Sequence, residues 1–445
     1  MTAPQVDAGE PVSTPQTPVD PSQRNGRTAW TGRRPLRGSH RRRLGILCAV
    51  GCALAILAGV LVVPRLLHRG PPTACTDDPL AANAVAGLDK FARWLDRNNA
   101  SGYIGEVGWP SGPDSARWNA VAETWYDAAD AIGLPVTAWA AARWPSGYPM
   151  AVYGAGTRST SLNKAGPQAK VVRGHPTTNR YLRGVVLAGG SFAAGDSKTG
   201  FNSTNRGRYG YDYSYESADS YAYLAREGVR LVRLTVVWER LQPVLGQPLD
   251  SAELANVRRA LGYALQSRLA VIIDLHSYGE FIAGGPGGTR RLALGSAALP
   301  ITALADFWSR MAEATRGEPA VIGYDVMNEP TNLVVRGAEG AQLWEKASQQ
   351  AVDAIRHAGS DAVVAISGYG QNAPAQWGQV HPRPWINDPA DRTVYEAHAY
   401  FDVDNSGRYA AGYVEELRRA QSIAHARCRT LVDLSGGSRN GLAGR

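Results

Sequence analysis

The stretches GYIGEVG (102–108) and LPVTAWA (134–140) decide the fold, because without them the chain is two repeating units short. Downstream of them come GVVLAG (184–189), RLVRLTVV (230–237), LAVIIDL (269–275), AVIGYDV (320–326), AVVAIS (362–367) and TVYEAHA (393–399). Amphipathic helix patterns lie near 216–227, 251–267, 301–316, 341–358 and 411–427. Strands joined through helices imply right-handed crossovers and a parallel sheet, and runs this apolar suit a sheet buried on both faces. Six units are too few for an eightfold barrel. The two upstream runs, each preceded by a helix pattern (84–99 and 115–132), supply the rest. The expected fold is α/β, a (β/α)₈ barrel. An open doubly wound sheet is the competing architecture, but no Gly-rich phosphate loop follows any of these strands.

The chain has 445 residues, 44% apolar and 19% charged, enough apolar material for a large core. Its formal charge of +8 is gathered at the start, where ten Arg face three acidic residues within 1–70. The body is left near neutral, which argues against a nucleic-acid partner, since phosphate binding needs a basic folded face. Residues 1–43 are rich in Pro, Ser, Thr, Gly and Arg with no apolar period, and read as a disordered cytoplasmic tail. LGILCAVGCALAILAGVLVV (44–63) carries no charge and is long enough for one membrane-spanning helix. Arg41, Arg42 and Arg43 at its start predict an inside N-terminus and an extracellular body. A cleaved signal peptide is the rival, but its apolar region is usually shorter and no clear small-x-small site follows Val63. The expected organisation is a tail (1–43), a signal anchor (44–63), a linker (64–80), a barrel domain (81–428) and a C-terminal tail (429–445), in a monomer at the cell membrane.

Barrel proteins place their functional residues at the carboxyl ends of the strands. Those ends here carry Glu106, Trp139, Arg233, His276, Asn328, Glu329, His398 and Tyr400. Two glutamates in such company suit acetal cleavage, which needs one acid for the leaving oxygen and one carboxylate for the developing oxocarbenium ion. Tyr (19) and Trp (12) outnumber Phe (6), a composition that suits stacking on sugar rings. Ser277, Tyr278, Glu280, Trp109, Trp144 and Trp377 also follow strand ends and either line a cleft or pack loops. Glu239 reads as loop structure, and Glu415 and Glu416 as a solvated helix face.

VRLTVVWERLQP (232–243), VIIDLHSYGEF (271–281), VIGYDVMNEP (321–330) and YEAHAYFDVDNSG (395–407) resemble successive strands of glycoside hydrolase family five, the cellulase-like enzymes. The resemblance implies that Glu329 is the acid/base, that Asn328 contacts a sugar 2-OH, and that Arg233 supports the nucleophile. It gives His276 a subsite wall and places His398 and Tyr400 beside the nucleophile. The family's nucleophile strand should follow Tyr400, yet no matching glutamate does. FARWLDRNNASGYIGEVGWP (91–110) instead resembles that strand, with Glu106 as nucleophile. LPVTAWAAARWPSGYPMAVY (134–153) resembles the family's last strand, with Trp139 as a sugar platform, and YLRGVVLAGGSF (181–192) its first. The implied strand order is 7-8-1-2-3-4-5-6, a circular permutation, which barrel geometry tolerates. An unpermuted reading would promote Asp433. On the permuted reading Cys75 and Cys428 flank the cut and are expected to form a disulfide. The resemblance further implies a retaining mechanism on a β-linked polysaccharide or oligosaccharide, with no metal or cofactor. A glycan-binding protein without catalysis is the alternative, and it would leave Glu106 far from Glu329.

Overall fold

A computed structural model describes residues 78–144, 147–157, 159–194 and 198–423. The tail, the apolar segment 44–63, Cys75, Cys428 and Asp433 lie outside the described residues. Among the described residues no helix is long and apolar enough to cross a membrane.

Eight strands carry the architecture: β1 (Ser101–Gly108), β2 (Val136–Ala141), β3 (Arg183–Leu187), β4 (Leu231–Val236), β5 (Ala270–Leu275), β6 (Val321–Asp325), β7 (Val363–Ser367) and β8 (Thr393–Tyr400). Each pairs in parallel with the next, and β1 pairs with both β2 and β8, so the sheet closes. Closure overturns the open-sheet alternative and gives a (β/α)₈ barrel. Six long helices surround it: α1 (Pro79–Arg97), α2 (Ser115–Ile132), α3 (Ala218–Arg226), α4 (Ser251–Gln266), α5 (Ile301–Thr315) and α6 (Gly337–His357). A helical run at 412–423 follows β8. Among the described residues, the β2–β3 and β7–β8 connections hold only the short helices Ala169–Gly174 and Trp377–Val380. Helix α1 starts at Pro79, slightly ahead of the expected domain boundary.

Local chemistry explains the helix starts. Asp78 accepts hydrogen bonds from Leu80 N (2.8 Å) and Ala81 N (3.3 Å), with proline at the first helical position, where its missing N–H costs nothing. Asp250 caps α4 the same way through Glu253 N (2.9 Å). The strands are buried on both faces, which is why they read as apolar runs. Tyr103, Leu182, Leu231, Ile272, Ile322 and Val394 fill the barrel interior. A larger layer that includes Phe91, Trp94, Trp125 and Trp308 packs between the strands and the helices.

The tryptophans correct the compositional expectation. Trp94, Trp109, Trp118, Trp125, Trp238, Trp308, Trp344 and Trp377 are all buried. Trp308 Nε1 donates to the Val326 carbonyl (2.9 Å) and Trp344 Nε1 to that of Ser367 (2.7 Å), so helices α5 and α6 tie down the carboxyl ends of β6 and β7. The solvated reading of Glu416 also fails. Its carboxylate is buried and accepts from Val403 N (2.9 Å), because the loop after β8 needs an acceptor there.

Candidate active site

Strand ends bring the expected residues together. Glu106 and His398 are register partners on β1 and β8, and Gly108 partners Tyr400. A register shift between Ile104 and Glu106 re-aims the glutamate at the barrel mouth. An oxygen of Glu106, an oxygen of Glu329 and a ring nitrogen of His398 all lie within 4.8 Å of one another. Glu329 follows β6 with φ +37°, in the left-handed region that non-glycine residues enter only when their surroundings over-determine it.

Arg233 on β4 is fully buried and organises the floor. Its Nη1 reaches Glu106 Oε1 at 2.9 Å and Asp274 Oδ2 at 3.1 Å. Nε and Nη2 both reach Asp325 Oδ2 at 2.7 Å, and Nη2 also donates to Asn328 Oδ1 at 2.9 Å. Tyr400 Oη donates to the second Glu106 oxygen at 2.6 Å. Glu106 therefore has both oxygens held and its rotamer fixed. One guanidinium cannot neutralise so many carboxylates. Burial pushes Asp325 well above the usual carboxylate range against the pull of Arg233, with Glu396 and Asp274 adding to the rise. Burial likewise pushes the Tyr400 hydroxyl well up, and Glu106 beside it adds to that, so Tyr400 stays a donor.

His398 sits between the carboxylates, with Nδ1 2.9 Å from Glu329 Oε1 and Nε2 3.2 Å from Glu396 Oε1. Burial alone would discharge the ring. Glu106, Glu329 and Glu396 outweigh it and hold the imidazole well above its ordinary value. The trio Glu106, Glu329 and His398 has the donor types of a cation site.

Beside this group lies a cleft of about 240 Å³ lined by Trp139, Trp144, Tyr148, His276 and Tyr278, among others. Trp139 stacks on His276 with ring centroids 5.6 Å apart and 12° between planes, and Trp144 stacks on Tyr148 at 4.6 Å. His276 Nδ1 faces Asp274 Oδ2 at 2.7 Å, which leaves Nε2 to accept from Tyr278 Oη at 3.0 Å. The structure thus brings together Glu106, Glu329, Arg233, Asn328, His398, Tyr400, His276 and Trp139. Ser277, Tyr278, Glu280 and Trp144 line the cleft, whereas Trp109 and Trp377 pack in the core. Glu239 is more than a loop residue: it lies in the cleft wall and accepts from Ile282 N, and burial raises its carboxyl to about 7. Three buried acids under the site, Asp274, Asp325 and Glu396, escape a reading of strand ends because they lie in apolar strand runs below the residues that reach the barrel mouth. Their spacing, two residues before His276, four before Glu329 and two before His398, is the available signal.

A closed barrel with two carboxylates this close, one pinned by arginine and tyrosine and one facing a histidine, defines a class of acid–base sites suited to acetals. Residues 193–433 match the family model described as Cellulase (glycosyl hydrolase family 5), and the chain belongs to that family. It is 25% identical over 237 residues to Endoglucanase gh5-1 of Neurospora crassa, covering 53% of this chain and 54% of that protein. It is 24% identical over 218 residues to Endo-beta-1,4-glucanase B of Aspergillus niger, covering 48% and 60%. The chain spans little more than half the length of these curated relatives. Among solved structures it is similar to Pseudomonas stutzeri endoglucanase Cel5A in complex with cellobiose, at 36% identity over 52% of this chain and 63% of that one, with a TM-score of 0.44.

Proposed function

We propose that the protein is a retaining endo-β-glucanase anchored to the cell membrane, with its barrel outside and the N-terminus in the cytoplasm. The observation that carries the chemistry is the placement of Glu106 and Glu329 oxygens within 4.8 Å of one another. Carboxyls about 5 Å apart leave no room for a water between base and sugar, as inversion at about 6.5–9.5 Å requires, so one of them must attack directly. Glu106, with both oxygens held by Arg233 and Tyr400, is the nucleophile at the anomeric carbon. Glu329 protonates the leaving oxygen and then activates water to release the sugar. Trp139 supplies the platform and Asn328 the sugar hydroxyl contact. β-1,4-Glucan is the proposed substrate, in keeping with the endo-β-1,4-glucanases the chain resembles.

Circular permutation belongs to the same proposal. The family match begins at residue 193 and leaves out β1, β2 and β3, yet Glu106 on β1 completes the site. Going round the barrel from β6 through β7 and β8 leads to β1, which is the family's interval from acid/base strand to nucleophile strand. Tyr413 Oη meets Asp78 Oδ2 at 2.6 Å, so the segment after β8 lies against the segment before β1. That contact favours a cut at this seam, with Cys75 and Cys428 as its proposed clasp.

Soluble β-1,4-glucan and mannan, offered to the intact chain beside Glu106→Gln and Glu329→Gln, test the chemistry. We expect both variants to lose at least about 10³-fold in kcat on glucan, and the first-formed product of the parent to keep the β anomer by NMR. Activity that survives Glu106→Gln would sink the assignment. Protease added to intact cells should remove the barrel if it lies outside.

A further inference from the structure

Glu396 precedes His398 by two residues on β8, so strand alternation puts both on the inner face of the barrel. The Glu396 side chain is wholly buried, and its Oε1 lies 3.3 Å from Arg233 Nη2 and 3.2 Å from His398 Nε2. Ser367 Oγ donates to the other oxygen at 2.6 Å. A Cβ placed on Gly105 of β1 would stand 1.5 Å from Glu396 Oε1, so the bare glycine makes room for this carboxylate. On the far edge of the ring, Nδ1 meets Glu329 Oε1 at 2.9 Å and lies 3.6 Å from Glu106 Oε2. We propose that Glu396 is a positioning residue for the acid/base: it holds a proton on His398 Nε2, keeps the ring doubly protonated, and so fixes Nδ1–H on Glu329 Oε1. This rests on Glu329 being the acid/base.

The argument is one of donors and lone pairs. Both ring nitrogens face carboxylate oxygens, and only the imidazolium carries two N–H donors. Ser367 Oγ–H and Arg233 Nη2–H both point at Glu396, whose oxygens are therefore acceptors, so the ring nitrogen facing Oε1 donates. Burial works against ionisation of Glu396, and Arg233, His398 and Ser367 lower its carboxyl nonetheless. The other charged or titratable groups facing the pair are Tyr103 and Glu106 on β1, Asp274 on β5, Asp325 on β6, Glu329 beyond it, and Tyr400 on β8. With Glu329 Oε1 occupied as an acceptor, the proton it transfers sits on Oε2. In the first step that proton passes to the leaving oxygen while His398 keeps both of its own. Water returns a proton to Oε2 in the second.

The test reads the histidine directly. In the intact chain labelled at histidine, the His398 resonance, assigned by its loss in His398→Gln, should titrate with a midpoint well above the ordinary histidine value. Glu396→Gln should lower its midpoint by about one pH unit or more and draw the alkaline limb of kcat/KM down with it, while Glu396→Asp restores part of the shift. A neutral His398 at pH 7 in the parent overturns the proposal, even if Glu396→Gln does not fold. So does an unmoved midpoint in a folded Glu396→Gln. A parent inert on β-glucan defeats the assignment of Glu329, and the resonance still decides whether Glu396 charges His398.

Discussion

Arg233 contacts Glu106, Asp274, Asp325 and Glu396, and among the described residues it is the only arginine or lysine paired with them. Removing it strands several buried carboxylates, and uncompensated buried charge is among the costliest defects a fold can carry. Arg233→Gln should therefore lose about 3–5 kcal/mol of stability as well as activity, read as a fall in Tm of the intact chain. Trp139 offers the contrast. Its ring lies against His276 and lines the cleft without joining the charge network. Trp139→Ala should leave Tm near the parent value and raise KM on soluble glucan about tenfold, corresponding to roughly 1–2 kcal/mol of lost stacking. The strand-end residues were legible in the sequence because alternation and barrel geometry put them at one rim. The acids beneath them were not, since a carboxylate inside an apolar strand announces no partner until the strands are assembled.

Among the elements, the short helix Ala169–Gly174 between β2 and β3 ends on a feature that periodicity does not reveal. His175 is buried, with Nδ1 2.7 Å from Asp130 Oδ2 and Nε2 2.9 Å from Glu123 Oε2, both on α2. Arg183 at the start of β3 also pairs with Asp130. Burial lowers the affinity of His175 for its proton, but Asp130 and Glu123 outweigh it and raise the ring above its ordinary value. A raised folded-state value means stability that is present below the unfolded value, about 6.5, and is lost as pH climbs through the folded one. Denaturant melts across pH 6 to 9 should show that decline in the parent. His175→Ala should flatten it and cost about 2 kcal/mol at pH 6, through carboxylates left without their donor. Helix and strand positions followed from periodicity to within a few residues. The loop between β2 and β3 did not, because its order comes from ion pairs to another element.

At the scale of the whole chain, closure depends on β1 and β2, and these lie outside the matched segment 193–433. If the order is a permutation, connectivity should be interchangeable. A rearranged chain, residues 181–423 followed by a flexible linker and residues 78–180, should fold and hydrolyse β-glucan within about tenfold of the parent kcat/KM. The contact of Tyr413 with Asp78 places the ends to be joined close together, and a ten-residue linker of about 5–6 Å × √n reaches that far. A rearranged protein that folds with an empty active site would show that the present strand order is required.

The pairing of β1 with β8 carries one more consequence, for the timing of activity. Glu106 is made early and Tyr400, its hydrogen-bond partner, 294 residues later. Contacts so distant along the chain form late in folding, after the loop-closure entropy has been met. While a ribosome is still building the protein, the nucleophile strand waits without its neighbour and the charge network has no lid. On the proposed function, no partial translation product could cut glycan, and the chain would acquire hydrolytic competence in a single step, when the last strand docks beside the first.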